Sequence, residues 1–144
     1  MSTRFDVDTS DLDALVRDLL HRTPAMAEAA LRTAAAIPIG EIKIEMAKAK
    51  HGRRYRNHIA SAPGEAPAID TGELAGSVRE LGSAHSSREA WLEYGSDVPQ
   101  AAYMELGTST IEPRPWLVST TQRVRPALVR AFVTALRAYV EHVR

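Results

Sequence analysis

The chain has 144 residues, no net formal charge and no cysteine. This length predicts a single domain, residues 1–144, with a modest hydrophobic core, and the lack of cysteine excludes disulfides, thiolate zinc sites and cysteine nucleophiles. No stretch approaches the roughly 18 apolar residues of a membrane span. The first residues lack the apolar region of a secretory signal, so we expect neither feature.

A short extended segment at 5–9 is predicted to precede the first helix. Asp8, Thr9 or Ser10 is suited to cap that helix, because these side chains accept hydrogen bonds from free backbone N–H groups. A spacing of three and four residues puts the apolar positions on one helix face. They are Leu12, Leu15, Val16, Leu19 and Leu20.

Two prolines divide the helical region that follows. Thr23 as N-cap and Pro24 at the first helical position indicate that a second, alanine-rich helix begins there. Pro38 then interrupts the pattern, which indicates a kinked helix that resumes and continues to about Lys50. A strand over 37–46 is the alternative.

An extended loop at about 51–69 comes next. Structureless segments of this length are uncommon in compact domains and are usually functional or disordered. This loop carries a basic run beside a tyrosine, made of Arg53, Arg54, Tyr55 and Arg56. Such a run suits either phosphate contacts or a neighbouring subunit.

Asp70 and Glu73 fit a capping box at the end of this loop. In such a box Asp70 accepts a hydrogen bond from a backbone N–H near residue 73, and the Glu73 side chain reaches back. Thr71 and Gly72 permit the tight entry that a short helix or turn over 72–77 requires.

A β-hairpin is predicted in the middle of the chain. Its strands are expected at 78–82 and 90–94, and the polar stretch 83–88 is the expected hairpin loop. A turn begins at Gly95, and residues 98–104 suit a short helical turn or a strand.

The last helix is approached by an extended segment in which Pro113 and Pro115 bracket Arg114. From Trp116 onwards helical spacing is kept. The positions are Leu117, Thr121, Val124, Leu128, Phe132, Ala135, Leu136, Tyr139 and Val143. Pro126 lies inside this pattern and either kinks one long helix or starts a second one.

Both tryptophans, Trp91 and Trp116, are predicted to be core aromatics. For Trp116 an interface anchor is the alternative.

Charge is unevenly distributed along the chain. Residues 6–18 contain five aspartates against one arginine, residues 43–56 contain six basic residues against one glutamate, and residues 114–144 contain six arginines against one glutamate. Solvated helix faces and loop ends explain such runs, and so does complementarity towards other subunits or DNA in an assembly.

Nothing in the chain predicts a catalytic, cofactor or metal site. No two of the five histidines have the four-residue spacing of a helical zinc site, and HExxH, GxSxG, GxxxxGK[ST] and GxGxxG are all absent. Glu93 and Glu105 would be a carboxylate pair only if the fold brought them together. We therefore expect a protein that is not an enzyme.

Three segments occur in a recurring order. They are SAPGEAPAIDTGEL at 61–74 with Ser-Val at 77–78, AYMELGT at 102–108, and PRPWL at 113–117. In this order they resemble the gene-product-ten-like neck family of tailed bacteriophages, over roughly residues 40–130. The resemblance implies a virion protein, assembled in the host cytoplasm, that joins connector and tail in a tail-completion or tail-terminator role.

The predicted elements indicate the fold, and the same resemblance implies the partners. The expected fold is α+β, with N-terminal helices, a small antiparallel sheet and a long C-terminal helix packed on the sheet. A closed homo-oligomeric ring is expected, with six copies favoured over twelve. Other neck and tail proteins would be its partners (a stopper or adaptor, a tail terminator, the tail tube), and packaged DNA is a potential occupant of its lumen.

The resemblance also singles out Glu105 and Gly107. We expect the Glu105 carboxylate to hold backbone N–H groups or Arg114, and Gly107 to adopt a conformation that residues with a Cβ avoid. An exposed glutamate before an ordinary glycine turn is the alternative. The residues expected to serve structure or interfaces are Arg53, Arg54, Tyr55, Arg56, Asp70, Thr71, Gly72, Leu74, Tyr103, Glu105, Gly107, Thr108, Arg114, Pro115 and Trp116.

Two other functions compete with this hypothesis. A DNA-binding module would use the basic segment 43–56 and would show a salt-dependent affinity for DNA. A small regulatory or toxin-like bacterial protein is the second, and its gene neighbourhood would distinguish it.

Overall fold

The computed structural model describes residues 10–142. In chain order they form α1 (Ser10–Ala47), α2 (Glu73–Ser77), β1 (Arg79–His85), β2 (Ala90–Gly95), α3 (Pro99–Leu106) and α4 (Val118–Glu141). The predictions for 5–9, Asp8, Thr9 and Val143 lie outside the described residues, as do those for the side chains of Leu12, Leu15, Val16 and Leu20.

The N-terminal region is one helix rather than the predicted two. Helix α1 runs through both Pro24 and Pro38, and the Thr23 hydroxyl donates back to the Leu19 carbonyl at 2.6 Å instead of capping a new helix. A proline inside a helix costs about 3 kcal/mol. Here the surrounding alanines favour helix, and α1 packs on α4 and on both strands, which outweighs that cost.

A buried stripe explains why the alternative strand over 37–46 is wrong. Buried residues recur every four positions along α1, which is a helical period. They are Ala30, Ala34, Pro38, Ile42 and Met46. Pro38 therefore occupies a core position of this stripe, and the helix ends at Ala47, shortly before the predicted Lys50.

Strands β1 and β2 form an antiparallel hairpin with an irregularity between Glu80 and Gly82. Strand β1 extends to His85, so the turn is confined to 86–89 and the prediction of a loop from residue 83 is wrong. The polar Ser83 and His85 belong to the strand because they bond to Glu28 of α1. Of residues 98–104, left open between helix and strand, Val98 is the extended N-cap residue and the others belong to α3.

The α+β fold with a long C-terminal helix is confirmed. Helix α4 is continuous through Pro126, packs along α1, and meets the sheet where the hydroxyls of Thr121 and Tyr94 are 2.9 Å apart. No described helix combines the length and the apolar character needed to cross a membrane.

The core lies where the C-terminal half of α1 meets α2, α3 and the start of α4. Its buried members are Ile42, Met46, Val78, Ala101 and Trp116. Trp116 is therefore a core aromatic as predicted. The same prediction for Trp91 is wrong, because 49% of that residue is exposed.

Candidate interaction site

Glu105 supplies the cap of α4 from the last turn of α3. One carboxylate oxygen accepts from the backbone N–H groups of Trp116 (2.7 Å) and Leu117 (2.9 Å), and the other accepts from Val118 (3.1 Å). No side chain of α4's own N-cap residue does this. A carboxylate there satisfies free donors and suits the positive end of the helix dipole. The expected backbone hydrogen bonds are thus present, and Arg114 is not the partner of this carboxylate.

Gly107 and Thr108 form the turn that follows α3. Gly107 has φ 76°, and a Cβ there would lie 2.7 Å from the Ile111 carbonyl oxygen, so the position requires glycine. The Thr108 hydroxyl oxygen accepts from the backbone N–H groups of Thr110 (3.2 Å) and Ile111 (3.1 Å). This turn sends the chain back towards the core.

Arg114 joins two of the sequence motifs. Its backbone N–H donates to the Met104 carbonyl (2.6 Å), and its Nε donates to the Ser61 carbonyl (3.1 Å). Nearby, the backbone N–H of Gly64 donates to the Pro113 carbonyl (3.2 Å). The segments 61–64, 102–108 and 113–117 therefore form one contact unit, called here the motif junction.

Trp116 anchors the motif junction in the core. Its indole N–H donates to the Ala101 carbonyl at 3.1 Å, and the residue is 2% exposed. Pro115 is partly buried and lines a hollow of about 360 Å³ between α1, the loop and α4, together with Lys50, Glu65 and Arg123.

The predicted capping box at 70–73 is wrong. Helix α2 begins at Glu73 after Gly72 (φ 82°), an N-cap residue without a side chain to cap the helix. Asp70 therefore lies too far upstream, and the Glu73 carboxylate accepts from Gln100 Nε2 (2.8 Å) instead of reaching back. Asp70 is exposed, and its carboxylate lies 3.7 Å from His58 Nδ1.

Thr71 and Leu74 also belong to this entry into α2. The Thr71 hydroxyl accepts weakly from the Glu73 backbone N–H, at 3.3 Å. Leu74 is partly buried against the core cluster. The entry is thus held by the left-handed glycine and by packing, rather than by a carboxylate.

Residues 52–60 fold back on themselves as a short two-stranded projection, called here the basic arm. Gly52 donates to Ala60 (3.0 Å), Ala60 donates to Arg53 (3.0 Å), and Tyr55 donates to His58 (2.8 Å), all between backbone groups. A Cβ on Gly52 would lie 2.5 Å from the Ala60 carbonyl oxygen, so only glycine allows this approach. The loop predicted at 51–69 therefore has defined structure.

The arm is also ordered by its side chains. The Tyr55 and His58 rings stack with centroids 5.4 Å apart, and the Arg53 guanidinium lies 5.5 Å from the Tyr55 ring centroid. Arg53, Arg54 and Arg56 are exposed, and none has a carboxylate partner within the described residues. The arm thus presents three exposed guanidinium groups, one of them, that of Arg53, on an aromatic stack.

Glu65 fastens the base of the arm, and sequence reasoning missed it. Its carboxylate accepts from the Ala62 backbone N–H (2.7 Å) and the His51 backbone N–H (3.1 Å), and it contacts His51 Nδ1 at 2.5 Å. These bonds, that from Ala62 foremost, lower the pKa of Glu65 to about 2. Its position in the proline-rich connector resembled that of any solvated glutamate, so no local signal revealed it.

Apolar side chains are exposed beside the motif junction. On α3, Tyr103 is 56% exposed and Leu106 is 76% exposed, and their three-residue spacing puts them on one side of the helix. Ile111, in the following turn, is exposed as well. A groove of about 330 Å³ lies between the arm base, α3 and the entry to α2. Its lining includes Met46, His58, Ile69, Leu74 and Met104.

Comparisons with protein-family models, with curated proteins and with solved structures found no match for this chain. Within residues 10–142, no three histidine, aspartate or glutamate side chains come together in a way that could hold a metal ion. The geometry is that of a structural junction with an arm and exposed apolar side chains, features that suit contacts with other proteins.

Proposed function

We propose that this chain is a structural protein of the head–tail junction of tailed bacteriophages. It would join the connector to the tail as one copy in a ring, in a tail-completion or tail-terminator role. Six copies match the symmetry of a tail better than twelve. Its partners would be further copies of itself and the adjoining stopper or adaptor, tail-terminator and tail-tube proteins.

The motif junction carries this proposal. The first of the three segments that resemble the neck family lies about 30 residues before the other two, which are themselves close together. All three are joined by the bonds of Glu105 to 116–118, of Arg114 to Ser61 and of Gly64 to Pro113. Short motifs that form one contact unit have a shared structural role, which supports the resemblance more than scattered matches would. The exposed Tyr103 and Leu106 beside the unit suit a protein partner.

The test is a phage that encodes this chain and carries a stop codon early in its gene. We expect DNA-filled heads and separate tails in the electron microscope, and joined particles again when the protein is supplied in trans. An antibody against the protein should label the neck of complete particles. Intact virions without the protein would contradict the proposal.

DNA binding is the second candidate, because the three arm arginines have no carboxylate partner among residues 10–142. Guanidinium groups and a stacked tyrosine suit phosphates and bases. A duplex-DNA affinity that falls steeply with salt, and falls again when Arg53, Arg54 and Arg56 become serine, would favour this candidate.

A further inference from the structure

One face of the β-hairpin is left uncovered by the rest of the described chain. Glu80, Ser83 and His85 turn towards α1, where they bond to Arg32 and Glu28. Strand alternation, shifted by one residue at the irregularity between Glu80 and Gly82, puts the other set on the opposite face. This outer hairpin face consists of Leu81, Gly82, Ala84, Trp91 and Glu93.

Trp91 and Glu93 give the outer hairpin face its chemistry. Half of Trp91 is exposed, and the indole lies over Gly82, where an added Cβ would be 3.5 Å from two ring carbons. Glu93 is exposed, and its carboxylate has no partner among the described residues. An indole face beside a free carboxylate is a ready receptor for guanidinium groups.

The basic arm has the complementary chemistry. Within the described part of the chain, its three arginines pair with no carboxylate. Its Arg53–Tyr55–His58 stack is already ordered, so these three side chains have little freedom left to lose on docking. Arginine is suited to both halves of the receptor, since it pairs with carboxylates and stacks on aromatic rings.

One chain cannot make this contact with itself. The hairpin bonds to α1 at Glu28 and Arg32, whereas the arm follows the end of α1 at Ala47. The 15 residue steps from Arg32 to Ala47 span about 22 Å of helix, and the arm lies at the far end of this distance, where His58 and Ile59 line a hollow with Met46 and Ala47. The partner surface must therefore belong to another molecule.

We propose that the basic arm of one chain docks on the outer hairpin face of a second copy, with its guanidinium groups against Trp91 and Glu93. The two surfaces differ and lie apart on the molecule, so the contact is head-to-tail and closes into a ring when the rotation permits. The choice of a second copy rests on the proposed neck function; the contact itself is tested with purified protein.

The first experiment uses introduced cysteines, which are unique because the chain has none. One protein carries Asn57→Cys at the arm tip and a second carries Glu89→Cys next to the outer hairpin face. Mild oxidation of the mixture at high concentration should give disulfide-linked heterodimers. A matched mixture with Gln122→Cys on the exposed side of α4 should give about tenfold less. Equal yields in the two mixtures would overturn the proposal.

The second experiment reverses charges in the same cysteine proteins. Glu93→Arg on the receptor should lower the cross-linked yield about tenfold, and Arg54→Glu on the arm should restore part of it. Both residues are exposed, so unchanged thermal melts will show that the variants fold. No effect of Glu93→Arg, or an arm that binds duplex DNA but cross-links no better than the control, would overturn the contact. If rings or neck labelling persist while the cross-linking fails, only this contact is wrong and the proposed function still stands.

Discussion

Glu105 is the residue on which the local structure of the motif junction depends most. Its two oxygens accept three backbone N–H groups at the start of α4, and a carboxylate is stronger there than an amide. We expect Glu105→Ala to lower the free energy of unfolding by about 2 kcal/mol. Glu105→Gln should cost about 1 kcal/mol, because one oxygen remains while its NH₂ group faces a donor.

Urea unfolding of the purified variants measures both values. Glu112→Ala is the matched control, since Glu112 is an exposed glutamate on the same segment whose carboxylate has no partner among the described residues. Equal stability of wild type, Gln and Ala variants at position 105 would show that this cap contributes nothing.

The entry to α2 depends on a glycine rather than on a carboxylate. Gly72 has φ 82° and Asp70 makes no capping bond. We expect Gly72→Ala to cost about 1–2 kcal/mol, since a Cβ disfavours the left-handed region. Asp70→Ala and Asp70→Asn should both stay within about 0.5 kcal/mol of wild type. Thermal melts decide: a larger loss for Asp70→Ala than for Gly72→Ala would restore the capping box.

At the scale of elements, the basic arm is held by Glu65, and this anchor is pH-dependent. The folded protein lowers the pKa of Glu65 to about 2 from an ordinary value of 4.5. The stabilisation is therefore complete above pH 4.5 and is lost as the pH falls towards 2, because the unfolded chain takes up the proton first. We expect the stability difference between wild type and Glu65→Gln to shrink over that interval.

Urea unfolding of both proteins at pH 7, 4 and 3 is the measurement. Comparing the two at each pH removes the contributions of other carboxylates. Among these, the pKa of Glu28 is lowered chiefly by its bond with His85 and that of Glu45 by its bond with Lys48. A difference that stays constant from pH 7 to 3 would count against a role for the Glu65 charge.

At the scale of the whole molecule, the arm can be separated from the fold. Gly52 and Ala60 are hydrogen-bonded across its base, so an Asn-Gly turn can replace residues 53–59. We expect this variant to fold and to be excluded from phage particles, as judged by circular dichroism and by immunoblots of purified virions. The wider deletion of 53–67 should not fold normally, because it removes Glu65 and the buried Pro67. Normal incorporation of the armless protein would show that the arm is not an assembly element.

The fold class and most element types could be predicted from the sequence, and so could particular turns. Gly107 was singled out through the resemblance, and it does adopt a positive φ, 76°, that residues with a Cβ avoid. The helix start predicted at Thr23 and Pro24 was wrong, because the same two residues can stand inside a helix when tertiary packing stabilises it. Glu105 was identified through the resemblance. The role of Glu65 at the base of the arm and the exposure of Trp91 were not predicted.

The sequence by itself determined what depends on a few neighbouring residues: the alternation of the hairpin, the glycine turn after α3 and the helical spacing of α4. Tertiary structure alone decided the rest. It kept α1 continuous through two prolines because the helix packs on α4 and the sheet, and it left Trp91 exposed because the hairpin has only one covered face. It also brought Glu65 to the amides of His51 and Ala62. Each of these outcomes depends on residues distant in the chain, and no local pattern specifies which distant group a side chain meets.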